Sequence, residues 1–451
     1  MTLQVVTDKK NKMAENEYES EGRKSSIKKN DRKMSRSKAL LTMGAMAASV
    51  PFIRRTVDDL SGPNSGASSD SDKMLKDPVL ARAISELEYL TPADKFIVQR
   101  RGNPVLTEIP VGKLSSIGLT RETWKLEILQ DPESNSELAN PLTREKGNAV
   151  DWENLMTLAE KKSVRFLHVL TCTNAPRPYG MGLWEGVPLR DVFWKTEPKQ
   201  NIRRIFFYGY HNDDQKQLFQ SSLPVNRILQ EAPGELPVIL CYKLNGKYLS
   251  QANGGPVRLI VPGLYGNRSI KWLQRILVTN SFHANDTYAE GNNDVESPIK
   301  TCARFIHIPE KVKSGQPFAV TGMAQVGIFG LKKVQYWLNP AGNPLPENDA
   351  YLDTGEWRDA IILPPPLNWG SDLPDGKLPD VMQIDKKTGQ PYSWPIPNTI
   401  VHWAALLKVN ETGEFDLRCR TIDSSGIAQP LPYPFGRSGT NRIEVVRITA
   451  S

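Results

Sequence analysis

A chain of 451 residues, 39% of them hydrophobic, supports a soluble globular protein of two domains plus tails. Its formal charge of +7 raises a nucleic-acid or membrane partner, but residues 1–55 hold 13 Lys or Arg against 6 Asp or Glu and so carry all of it. The basic character belongs to a tail, and no nucleic-acid-binding face is expected.

That tail has the order of an export signal. Lys28, Lys29, Arg32, Lys33, Arg36 and Lys38 precede a mildly apolar stretch, 39–52, too short and too rich in small residues for a membrane span. Ala45-Met46-Ala47 supplies a small-residue cleavage site. Arg32-Lys33 or Arg36-Ser37 stands where a twin-arginine pair would, although no true Arg-Arg pair precedes the apolar run. The expectation is an exported, periplasmic protein; an uncleaved tail or weak anchor, leaving it cytoplasmic or membrane-associated, is the alternative. Residues 56–75, rich in Gly, Ser and Asp, read as a flexible linker.

Pro78, with Leu80, Ile84, Leu87 and Leu90 on one face, predicts an amphipathic helix ended by Thr91-Pro92. Residues 95–99 predict a strand, followed by Arg100-Arg101-Gly102. Trp124, Leu126 and Ile128 alternate with polar residues, so one sheet face is buried there. Asp151 caps a helix through Lys161, which feeds the hydrophobic strand of Val164, Phe166, Leu167, Val169 and Leu170. Cys172 falls where that strand ends, and the Asn, Pro and Gly that follow are loop chemistry until 187–194 resumes an apolar, helical pattern. A thiolate at a strand end facing a loop is within reach of a large cofactor, and soft sulfur suits a soft, redox-active metal. On spacing alone an inert core cysteine remains open.

The Gly180-x-Gly182-x-x-x-Gly186 run is a near miss for a dinucleotide fingerprint, with Glu185 in the wrong place, so no NAD is expected. Four cysteines, at 172, 241, 302 and 419, are too few for a disulfide framework, and no C-x-x-C-H exists to attach a haem. The histidines at 168, 211, 283, 307 and 402 lie at no zinc-ligand spacing. Residues 203–210 and 238–242 predict buried strands around the polar loop 211–220. After residue 300 the pattern changes to short strands at 317–325, 334–338, 401–409, 415–422 and 442–449, which indicates a β-sandwich with long Pro- and Gly-rich loops over 340–398. The fold class is α+β: a mixed α/β domain over 76–300, then a β-sandwich over 301–451.

Several ordered motifs carry a resemblance. Trp184, Gly186, Leu189, Asp191 and Val192 are followed by Gly254, Pro256, Val257 and Arg258, then Val261, Pro262, Gly263 and Gly266, then Ser269, Lys271 and Trp272. In that order they resemble the sulfite oxidase family of molybdopterin enzymes, over roughly residues 80 to 448. The resemblance implies a molybdopterin-binding domain joined to an immunoglobulin-like dimerisation domain, and hence a homodimer, of the haem-free bacterial type. It implies molybdenum-molybdopterin, with Cys172 as the protein's metal ligand and Asp214 (or Asp213), Asn253, Arg258, Ser269 and Lys271 as cofactor contacts. It also implies a small oxyanion gripped by Arg100 (or Arg101), Arg177 and Arg437, with the Tyr288 phenol beside the reacting oxygen. Fixed guanidinium forks bind an oxyanion bidentately, which lysines cannot do. The implied activity is oxidation of sulfite to sulfate, with electrons passed to an external acceptor such as a c-type cytochrome. Two departures leave the substrate open. Asn253 stands where the family has His, and the loop after Cys172 reads Thr-Asn-Ala-Pro-Arg rather than Ala-Gly-Asn-Arg-Arg. An oxo-transferase reducing an S-oxide or N-oxide, or a scaffold that has lost the metal, are the alternatives.

Overall fold

Asp77 accepts from the backbone N–H of Val79 and Leu80 at 2.9 and 3.3 Å, and Pro78 occupies a first-turn position that needs no donor. The helix Pro78–Ser85 starts there for those reasons and buries Leu80 completely. The computed structural model describes residues 68–99, 109–210, 219–283, 294, 296–345, 349, 352–370, 372–430, 439 and 441–451. The expected linker is helical over its second part, Ser68–Leu75, with Lys73 in the last turn, where a helix dipole favours a cation. Among the described residues no helix is long and apolar enough to cross a membrane.

Two sheets build the region ahead of residue 300. In the first, Lys125–Gln130 runs parallel to Leu273–Thr279, which pairs antiparallel with Arg204–Gly209, and that strand pairs antiparallel with Gln220–Pro224. In the second, Val164–Leu170, Gly180–Pro188 and Ile239–Leu244 form an antiparallel ladder, and Arg258–Ile260 adds to the last of these. Trp124, just ahead of the first sheet, and Leu126 and Ile128 within it share one core with Val187, Leu240 and Leu259 of the second. The short helix Leu189–Phe193 contributes Leu189, Val192 and Phe193 to that core. Trp124 is wholly buried because its indole N–H finds the Leu273 carbonyl at 2.7 Å.

Residues 180–186, expected as loop, lie in the strand Gly180–Pro188. Their glycines serve close approach instead of turning: a Cβ at Gly182 would stand 2.3 Å from Leu244 Cδ1, and one at Gly186 would stand 2.4 Å from the Leu240 carbonyl oxygen. Residues 95–99, expected as a strand, form no ladder; Ile97 N–H bonds the Tyr179 carbonyl at 2.9 Å and Phe96 packs edge-on to Trp184. The helix expected to run through Leu87 and Leu90 stops at Ser85.

Beyond residue 300 two sheets face each other. One orders Cys302–His307, Pro317–Gln325, Ile400–Lys408 and Ile361–Ile362; the other orders Lys311–Val312, Glu444–Ala450, Gly413–Ile422, Lys333–Pro340 and Arg358–Asp359. Alternation decides the faces. Val401, Trp403, Ala405 and Leu407 point into the shared core against Val334, Leu417 and Ile448, whereas Ala404 and Leu406 point outward onto Leu80 and Ile84 of the helix Pro78–Ser85.

Candidate functional site

The segment 250–272 makes the floor of a cleft. Gly254 adopts φ +95°, and a Cβ there would stand 2.8 Å from Lys271, so the turn requires glycine for conformation and for space. Its carbonyl accepts from Trp272 N–H at 3.0 Å, which folds the segment back on itself. The strand Arg258–Ile260 lies between, and the fold-back brings Asn253, Arg258, Ser269 and Lys271 onto one wall. Gly266 N–H donates to the Thr171 carbonyl at 2.6 Å, joining this wall to the end of the strand Val164–Leu170, and the next residue is Cys172. Cys172 is a free, half-buried thiol in the same cleft, its loop turned by Ala175 N–H bonding the Cys172 carbonyl at 3.1 Å.

Arg258 is 2% exposed. One Nη donates to the Asn253 carbonyl and the other to the Ser269 carbonyl, each at 2.9 Å, while Nε has no partner. The guanidinium lies 5.3 Å over the Trp184 ring, and burial pulls its pKa down to about 10. Carbonyls fix its position but do not neutralise its charge. Ser269 Oγ accepts from Val261 N–H at 3.0 Å and retains its own O–H to donate. Lys271 Nζ donates to the Ala252 carbonyl at 2.7 Å, and Asn253 Nδ2 to the Ala93 carbonyl at 3.0 Å. A soft thiol opposite an incompletely satisfied guanidinium and an ammonium is a donor set for a soft metal carried by an anionic group. The residues present therefore fit a molybdenum-molybdopterin.

Five of the ten sequence-derived site residues thus converge: Cys172, Asn253, Arg258, Ser269 and Lys271. Arg100, Asp214, Tyr288 and Arg437 lie outside the described residues. Arg177 is described and is placed differently from expectation. Its guanidinium donates to the Phe305 carbonyl at 2.8 Å and pairs with Glu444 at 3.0 Å, so it ties the Cys172 loop to the β-sandwich and is not among the cleft's lining residues.

Sequence reasoning overlooked Tyr179 and Tyr210, which line the cleft, and His168, which lies four residues before Cys172. Tyr179 is held by its N–H on the Leu170 carbonyl at 2.7 Å and its hydroxyl on Gln99 at 3.2 Å. His168 is fully buried, its Nε2 accepting from Gly263 N–H at 3.2 Å. Burial, then the Arg227 and Arg258 charges, pull its pKa down to about 3, so the ring is neutral and can accept that bond. A lone His inside an apolar run is the signal that was there to read.

Residues 119–287 match the family described as the oxidoreductase molybdopterin binding domain. Chicken sulfite oxidase is 25% identical over 260 residues, 55% of this chain and 50% of that protein. Spinach nitrate reductase [NADH] is 32% identical over 120 residues, 26% of this chain and 13% of that one. The chain thus spans half or less of the length of these curated relatives. Among solved structures, the sulfane dehydrogenase SoxCD of Paracoccus pantotrophus shares the fold with a TM-score of 0.55 at 15% identity, over 91% of this chain and 96% of that one.

Proposed function

Because this chain belongs to the sulfite oxidase family of molybdopterin oxidoreductases, we propose that it oxidises sulfite to sulfate in this cleft and passes the electrons to an external acceptor. The observation that carries the reading is the convergence of the Cys172 thiol and the buried, carboxylate-free Arg258 guanidinium in the lining of one cleft. When bound, a molybdenum-molybdopterin supplies a two-electron redox centre at which an oxygen atom is exchanged with substrate.

The chain's own contribution is binding and electrostatics. Cys172 Sγ is the metal ligand, presented from a strand end that Gly266 holds in place. The Arg258 charge, the Ser269 hydroxyl and the Lys271 ammonium take the anionic end of the cofactor, and the Trp184 face keeps the Arg258 plane fixed. Arg100, Arg437 and Tyr288 are assigned to the oxyanion, two guanidinium forks to gather it and a hydroxyl to offset charge on its oxygen. Arg177 holds the Cys172 loop against the sandwich. The same reading makes residues 1–55 an export signal and the sandwich an immunoglobulin-like dimerisation domain.

A second reading, reduction of an S-oxide or N-oxide, is favoured by the commitments of Asn253 and Arg177, which leave fewer groups free to select an anion. The test is molybdenum and pterin content of the purified protein, with sulfite-dependent reduction of an artificial acceptor. Stoichiometric metal with sulfite turnover is expected. Metal without sulfite turnover but with oxide reduction would establish the second reading, and a metal-free protein from a host with intact cofactor supply would sink both.

A further inference from the structure

The stretch between Ile361–Ile362 and Ile400–Lys408 of the sandwich reaches back to the segment 89–99, which forms one side of the cleft. Leu90 N–H donates to the Trp369 carbonyl at 2.8 Å, the Tyr89 ring lies edge-on to Trp369 at 5.6 Å, and Ala93 N–H donates to Asp372 Oδ2 at 2.9 Å. The Asp372 carboxylate is itself held in place. Lys247 Nζ donates to Oδ1 at 2.7 Å and Asn245 Nδ2 to Oδ2 at 3.3 Å. Asn245 is fixed in turn, its Oδ1 accepting from Leu183 N–H at 2.9 Å and its Nδ2 also reaching the Thr91 carbonyl at 2.9 Å. An ionised acceptor makes the stronger class of hydrogen bond, so the Ala93 N–H is tied firmly to a fixed point.

Ala93 passes that hold to the cleft. Its carbonyl accepts from Asn253 Nδ2 at 3.0 Å, so one residue joins Asp372 on its N–H side to the cofactor cradle on its carbonyl side. Further along the strap, Phe96 packs edge-on to Trp184, Ile97 N–H bonds the Tyr179 carbonyl at 2.9 Å, and Gln99 accepts from the Tyr179 hydroxyl at 3.2 Å. Phe96, Ile97 and Gln99 line the cleft, and the next residue in sequence is Arg100, assigned above to the oxyanion.

We propose that Asp372 is a positioning residue for the reaction: through Ala93 it clasps the strap 89–99 onto the cradle and so sets where Phe96 and Gln99 stand in the cleft. Asp372 is not among the cleft's lining residues and acts only through the strap. The proposal rests on the reading above that substrate binds in this cleft. The acceptor oxygen is what matters in it. The Lys247 side chain is 65% exposed, and an ion pair with so open a partner contributes little by itself.

The test compares wild type with Asp372→Ala, which removes the acceptor, Asp372→Asn, which keeps an oxygen for Ala93 N–H, and Lys247→Met, which removes the ion pair alone. In the cofactor-free protein, hydrogen–deuterium exchange of residues 89–99 should quicken about tenfold in Asp372→Ala, the scale of one lost hydrogen bond, and stay near wild type in the other two. In the metal-loaded enzyme, Asp372→Ala should raise the KM for sulfite about tenfold with kcat within about twofold and pterin content unchanged, and Asp372→Asn should restore the KM. Unchanged exchange in Asp372→Ala overturns the clasp. Quicker exchange with an unchanged KM, a KM raised as far by Asp372→Asn or Lys247→Met, or activity lost in step with pterin overturns the positioning role. No sulfite turnover by the wild type, with exchange still quickened in Asp372→Ala, overturns the reading beneath and leaves the clasp standing.

Discussion

Arginines are buried in the cleft and in the sandwich, and their partners differ. In the sandwich, Arg418 meets Asp416 at 3.2 Å and Asn339, and Arg420 meets Gln335 at 3.0 Å and Asp353 at 3.6 Å while lying 4.2 Å over Trp357. Each of these two guanidiniums is answered by a carboxylate of the same chain, whereas Arg304, also buried in the sandwich but not among the cleft's lining residues, is held by the Pro176, Ala303 and Arg442 carbonyls. Arg258 in the cleft is answered only by two carbonyls, with Nε left over. The cysteines divide the same way. Burial raises the thiol pKa of Cys241, Cys302 and Cys419, whereas Cys172 alone of the four is half-exposed and lines the cleft. Burial by itself therefore marks structure; a buried charge without its counter-charge at a cavity marks a ligand site.

The most severe way to break this contrast is Cys172→Ser. Sulfite turnover should fall by well over the ~10–100-fold typical of residues that merely support a ligand, with pterin and fold retained. A fully active variant would remove the ligand assignment. Next is the pair Arg258→Met and Arg418→Met, read side by side. Arg258→Met should lower pterin content about tenfold, yet cost the cofactor-free protein no more than about 2 kcal/mol, since two carbonyls lose donors while an uncompensated charge leaves. Arg418→Met should cost about 1–3 kcal/mol by urea midpoint and leave pterin content alone, because it abandons Asn339 and half the pairing of Asp416. Equal costs with pterin still bound in both would collapse the distinction.

What sequence made legible was local. The cradle could be read because Gly254, Arg258, Ser269 and Lys271 sit within one short segment whose turn residues dictate its path. Cys172 could be placed because an apolar run ends just before it. The ties of Arg177 could not be read because its partners, Phe305 and Glu444, lie 128 and 267 residues away, and no periodicity encodes contacts of that range. Gly180, Gly182 and Gly186 were read as loop punctuation because a glycine used for close strand packing looks the same in sequence as one used for a turn. The helix Ser68–Leu75 was hidden by a Ser- and Asp-rich start that is equally the chemistry of a linker.

Each region also buries a neutral histidine, which gives a finer probe. Burial takes His402 in the sandwich down to about 4, as it takes His168 beside the cradle to about 3. Both folded values lie below the ~6.5 of an unfolded histidine, so the unfolded chain binds more protons in between. Their contribution is complete above pH ~6.5 and is lost as pH falls toward the folded values, at about 1.4 kcal/mol per pH unit for each ring. His168→Gln and His402→Gln should each remove about one such slope from urea unfolding measured between pH 6 and 4.5. An unchanged slope in either variant would mean that ring titrates normally.

The smallest effect is expected at Arg177, and it decides on which side of the contrast that residue falls. Its side chain is 46% exposed, and pairs of that kind contribute about 0–1 kcal/mol, so Arg177→Ala should lower the melting temperature by only a few degrees. If the guanidinium works where it stands, holding the Cys172 loop to Phe305 and Glu444, the KM for sulfite should shift by less than about tenfold, since no donor to the substrate is lost. Glu444→Gln should then reproduce the same small change, because it weakens the other half of the same tie. A fall in sulfite turnover on the ~100-fold scale of a lost oxyanion donor, in Arg177→Ala but not in Glu444→Gln, would put the guanidinium at the substrate and make the pairing with Glu444 its resting position.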